Sequence, residues 1–193
     1  MRPRLGRWLE RGLIVLVSLA VSIGIIALLS GGLAGGRDDP GLSVNGGSTP
    51  GRAYPDQGDR HLAAGAPRPS YNSDPPTSGA HVPLPVTRNG AEISDDQLLQ
   101  ALSLGDVVFL YSSPAAPRGL QAIADQVAPH FTPALAADGQ TVILARRPNL
   151  PTITAVAWRH MLRSDSADDL RTFATHWLGQ GATGRTTSIV GNQ

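Results

Sequence analysis

The groups in this chain that can move protons, attack carbonyls or hold a metal are histidine, serine, tyrosine and the carboxylates, because cysteine is absent. That absence removes thiol redox chemistry, disulfides, iron–sulfur clusters and thiolate zinc sites together. The densest collection of such groups is YNSDPPTSGAH, Tyr71 to His81, where adjacent prolines fix a backbone path and small polar residues stand along it. Tyr71, Asn72, Ser78 and His81 are its candidate binding residues. One reading makes His81 a ligand or acid–base group displayed by the Pro75 and Pro76 turn, with His61 as a second metal ligand across the arm. The plainer reading is a brace, in which Tyr71 and the prolines cover apolar surface. Asn72, Ser73, Asp74 and Ser78 then satisfy turn amides, and loss of His81 alters stability only modestly.

The remaining histidines carry weaker signals. His160 shares an alternating stretch with Trp158 and reads as a packed strand residue, His176 falls in the last turn of a helix where a cation suits the dipole, and His130 follows a helix end. Ser78 lies in a Thr-Ser-Gly turn without the G-x-S-x-G elbow of a serine hydrolase. No glycine-rich loop joins a strand to a helix with a lysine, so phosphate binding lacks its motif. These observations indicate no catalytic residue and no cofactor.

Local signals define the elements that must position these groups. Ser94 followed by Asp95, Asp96 and Gln97 forms a capping box, and Gly105 supplies a stop, so DDQLLQALSL is a helix. DVVFLYS reads as a buried strand. Pro117 is expected to start a second helix with Leu120, Ile123 and Val127 on one face, limited by Pro129. TVILARR is a second strand. In ITAVAWRHML, Val156, Trp158, His160 and Leu162 alternate as one face of a third. Ser166 caps ADDLRTFATHWL, whose stripe of Leu170, Phe173, Ala174, Trp177 and Leu178 repeats at helical spacing before Gly179. The order indicates an α+β fold with a small mixed sheet covered by helices.

The chain of 193 residues has room for one such domain plus appendages. Arg2, Arg4, Arg7 and Arg11 form a basic stretch over residues 1–11, and residues 12–30 carry no charge. As a helix that run is about 28 Å long, enough to cross a bilayer. The arginines place the N-terminus in the cytoplasm and the remainder outside. The run exceeds the usual core of a signal peptide, which favours an uncleaved anchor over processing near Gly32 and Ala34. Residues 31–60 hold twelve glycines and prolines and read as a disordered, flexible linker. The extracytoplasmic domain is expected over residues 61–181, with a flexible tail over 182–193. All sixteen basic residues are arginine and the net charge is +1, so no basic face for nucleic acid is indicated.

YNSDPPTSGAH resembles the signature of the bacterial family called domain of unknown function 3105, and the likeness continues through the strand ending in Tyr111, the ARRPNLP turn and the AWRHMLR strand. The resemblance covers roughly Gly58 to Gly181. It implies a single-pass, membrane-tethered extracytoplasmic domain with no activity established for the family. Where members typically show His-Asn-Leu-Glu-His-Gly, this chain has QALSLG, so Gln100, Ser103 and Leu104 cannot serve as metal ligands or proton carriers as that set would. Ala80 replaces the usual proline. The expected function is therefore a non-enzymatic binding or accessory domain held to the lipid bilayer by its N-terminal helix, with an envelope or membrane-complex protein as partner. The alternative is a metal-binding or hydrolytic domain using His81 with His61.

Overall fold

The computed structural model describes residues 49–184. The basic stretch, the span expected over residues 12–30, the linker up to residue 48 and the tail from residue 185 lie outside the described residues. Among the described residues no helix is long and apolar enough to cross a membrane.

The fold is α+β. Five strands, β1 (Arg52–Ala53), β2 (Val107–Tyr111), β3 (Val142–Arg146), β4 (Thr154–Ala157) and β5 (His160–Arg163), form one sheet in the order β1-β5-β4-β2-β3. The β2–β3 pair is parallel and the others are antiparallel, so the sheet is mixed. Helices α1 (Asp95–Leu104), α2 (Leu120–Val127), α3 (Pro133–Ala137) and α4 (Ala167–Trp177) cover it.

Strand β2 lies at the centre of the packing, and its five residues are all buried. Their side chains alternate between two apolar layers, which is why VVFLY is continuously apolar rather than period-two. Val107, Phe109 and Tyr111 join Leu120 and Ala124 of α2 and Leu170, Phe173 and Trp177 of α4. Val108 and Leu110 join Leu98, Leu99 and Leu102 of α1, with Val86, Ala136 and Trp158. Each large apolar side chain so buried contributes about 1.5–3 kcal/mol, so both layers are needed to hold the sheet.

The caps act as their residue types require. The Ser94 hydroxyl accepts from the Gln97 amide while the Gln97 side chain accepts from the Ser94 amide, and Gly105, at φ 118°, closes α1 on the Ala101 and Leu102 carbonyls. Ser166 accepts from the Asp169 amide at the start of α4. The second helix differs from expectation: Gly119 stands at its N-cap and Pro117 lies one turn upstream, its carbonyl accepting from Leu120.

Two further differences matter for the site. The stretch read as one third strand is a hairpin, β4 and β5 joined by Trp158 and Arg159, the latter at φ 64°. Its faces are therefore split: Val156 and Trp158 pack toward α1, whereas His160 stacks on Trp177 of α4, with ring centroids 3.6 Å apart. The linker expected over 31–60 also gives way to folded chain before its end. Arg52 and Ala53 pair with Met161 and His160, the Tyr54 amide donates to the Arg159 carbonyl, and the Trp177 indole donates to the Pro50 carbonyl.

Candidate functional site

The signature segment is interior chain. Every residue from Pro75 to His81 is buried, although the run belongs to no helix or extended ladder. Irregular backbone can be buried only if its polar groups find partners, so those partners explain the local sequence. The Gly79 amide donates to the Gly58 carbonyl at 2.8 Å, the His81 amide to Arg60 at 3.1 Å, and the Leu62 amide to the His81 carbonyl at 2.8 Å. The preceding residues 57–62 thus run alongside the segment and satisfy it.

Side chains complete this accounting. Tyr71 donates from its hydroxyl to the Ala80 carbonyl at 2.9 Å, and burial raises its pKa. Its ring lies where a Cβ on Gly79 would stand, within 2.7 Å, and Gly79 has φ +136°, so both space and backbone demand glycine there. The Asn72 side-chain amide donates to the Pro55 carbonyl at 2.8 Å, and the Asn72 main-chain amide donates to Gln57 Oε1. The Ser78 hydroxyl accepts from the Gln57 amide at 3.0 Å and leans on the Pro55 carbonyl. Ser73 caps the Thr77 amide. Of the four candidate residues, Tyr71, Asn72 and Ser78 are thereby held by the fold.

His81 is the fourth, and it is fully buried. Its Nδ1 lies 2.9 Å from the Gly79 carbonyl, an acceptor only, so Nδ1 carries a proton and donates there. Its Nε2 is buried without a hydrogen-bond partner. The structure brings the His61 ring beside the His81 ring, edge to face, with centroids 5.4 Å apart. Among the described residues no three histidine or carboxylate side chains converge as a metal site would require.

Asp96 is the group whose role at the site the sequence does not display. As the second residue of α1 it reads as a helix-terminal acid, yet its carboxylate is buried, accepts from the Val82 amide just after His81 and pairs with Arg68. The Arg68 hydrogen bond is the main cause that lowers its pKa, against the opposing effect of burial.

Three of the four stretches that carry the resemblance meet here. Arg147, from ARRPNLP, donates to Asp74 Oδ1 at 2.7 Å and to Asp95 Oδ1 at 2.6 Å, tying the segment to β3 and α1. Arg163, in β5, donates to the Asp74 carbonyl at 2.9 Å. The Arg159 amide in the hairpin turn donates to the Thr77 carbonyl at 2.9 Å. Gln100 and Leu104 of QALSLG lie elsewhere, on a small pocket beside α1, while Ser103 donates back to the Gln100 carbonyl. A family model described as a protein of unknown function (DUF3105) matches residues 65–186. No curated protein and no solved structure matches the chain.

Proposed function

The chain belongs to the DUF3105 family of proteins of unknown function, and from that premise we propose that it is a membrane-anchored extracytoplasmic accessory domain. In this reading it binds another protein of the envelope or of a membrane assembly and catalyses no reaction. The observation that carries it is the commitment of Tyr71, Ser78 and His81 Nδ1 to internal partners along a buried segment, so these groups are not presented to a substrate. Four arginines before an uncharged run long enough to span a bilayer support the anchor and its orientation.

The experiment is native electrophoresis of the full chain extracted from its own membranes in mild detergent. The chain migrates as part of a complex, and replacing residues 49–184 by an unrelated domain of equal size releases it. Migration as a lone chain in both cases would contradict the proposal. One observation favours the second reading, a histidine metal site: His81, whose Nε2 has no partner, and His61 have ring centroids 5.4 Å apart. Stoichiometric zinc uptake by the intact chain, abolished in both His61→Ala and His81→Gln, would establish that reading instead.

A further inference from the structure

Beside α1 the structure has a pocket of about 240 Å³, space for on the order of eight waters. Its walls include Pro83, Pro85, Leu104 and Ala136, and two polar side chains, Gln100 and Asp106, line it. Asp106 is 1% exposed, and its Oδ1 accepts from the Thr141 amide at 3.0 Å. Its Oδ2 and Gln100 Oε1 are both buried without a hydrogen-bond partner. Asp106 and Gln100 both line this pocket and each keeps one oxygen without a partner, which a donor from outside would satisfy.

We propose that this pocket receives the primary ammonium group of a lysine side chain from a protein partner, its aliphatic stem lying along the proline, leucine and alanine walls. The inference rests on the reading of the domain as a binding module. Charge and geometry select the ligand. A guanidinium is best held by both oxygens of one carboxylate, but the Thr141 amide already occupies Oδ1, leaving Oδ2 to a point-like ammonium with freely rotating donors. The chain contains no lysine, so neither its own residues nor a second copy can fill the site this way. A protein partner is favoured over a free amine by the rim. Leu84, between the two wall prolines, and Leu104 are the exposed large apolar side chains of the described residues, at 43% and 39% exposure. Both therefore stand where a partner's surface around the lysine would cover them.

The electrostatics agree. Burial, with the like charge of Asp138 added, raises the Asp106 carboxyl to about 8 against the Thr141 amide. An ammonium ligand must displace that proton, so affinity should climb with pH up to about 8 and level off before the amine itself titrates near 10.4.

The test is titration of the full chain in detergent micelles with n-butylammonium chloride, followed by amide chemical shifts and calorimetry. Shifts clustered at Ala101, Leu104 and Asp106 are expected, with affinity increasing up to about tenfold per pH unit below pH 8. Asp106→Asn, which retains an acceptor for the Thr141 amide, should lower affinity at least about tenfold, and Gln100→Leu, a milder change at a half-buried side chain, should lower it several-fold. Saturable binding unaffected by both substitutions, or no shifts up to ~10 mM amine, would overturn the site while leaving the membrane-complex experiment to judge the binding role separately. A peptide Ala-Ala-Lys-Ala-Ala should bind tighter than butylammonium. Equal affinity would assign the pocket to free amines and overturn the protein source.

Discussion

Replacing Asp106 by asparagine should remove a pH-dependent loss of stability that the native domain carries. In the folded state burial raises this carboxyl to about 8, while in the unfolded chain it titrates at an ordinary value of about 3.9. The folded protein therefore binds the proton more tightly. The stabilisation is fully present below the unfolded value and is lost as pH rises through the folded one. Integrated from about pH 5 to about pH 8 the loss is nearly three pH units of differential binding at about 1.4 kcal/mol each, or roughly 4 kcal/mol. That is a large share of a typical domain's 5–15 kcal/mol. Asparagine keeps an oxygen for the Thr141 amide and cannot ionise, so its own profile should be flatter by that amount. The assay is urea unfolding of both proteins across this range, each pH giving one difference. Asp96, with its pKa lowered, stays ionised throughout the range, and the histidines cancel between the variants. Parallel profiles for the two proteins would refute the reasoning, because Asp106 would then be solvated or paired.

Three further outcomes follow from the same contacts. His81→Ala should cost about 2 to 4 kcal/mol in chemical denaturation, more than its sequence context suggests, because a fully buried ring leaves a cavity. Gly79→Ala should lower stability by about 2 kcal/mol, read as a fall in melting temperature, since its Cβ would stand 2.7 Å from the Tyr71 ring at a positive φ. Asp96→Asn should cost about 2 kcal/mol near neutral pH by weakening the acceptor of Arg68 and the Val82 amide. Because the Asp96 pKa is lowered in the folded state, the difference from the native protein should shrink as pH falls below about 3.9, which acid denaturation curves would record.

Much of the framework was legible because its signals are local. Ser94, Gly105 and Ser166 end helices through their own side chains or backbone freedom, and β2 announces its double burial by losing period-two alternation. The β4–β5 hairpin was hidden for an equally physical reason. Its two-residue turn is Trp158 and Arg159, without the asparagine or glycine that usually supplies positive φ, so the alternation ran on unbroken. Helix α3 is a single short turn of chain, five residues long, behind a Thr132 cap. Residues 50–60 have a linker's composition, and only pairing with later chain gives them structure, Pro50 to Tyr54 with the β4–β5 hairpin and α4, and Pro55 to Arg60 with the signature segment.

The site was legible in part. The prolines and small polar residues of Tyr71 to His81 pointed to a braced backbone, whereas the partners they find range from Ser73 with Thr77 inside the segment to Gln57 before it and Arg147 and Arg163 far beyond it. Which groups would be buried was not readable. Asp96 and Asp106 look like surface acids beside a helix start and a strand start, and their burial arises from elements distant in sequence, Arg68 and Thr141 among them. The lone Nε2 of His81 likewise depends on how residues 57–62 fold back.

The claim that the signature is a brace is tested most directly by native-state hydrogen exchange of the full chain. The amides of Gly79, His81 and Arg159, which donate to Gly58, Arg60 and Thr77, should exchange only through global unfolding, with the same free energy and denaturant dependence as the amides of β2. Exchange of those three amides through low-energy local openings, while β2 stays protected, would show a mobile segment presented for chemistry and contradict the account.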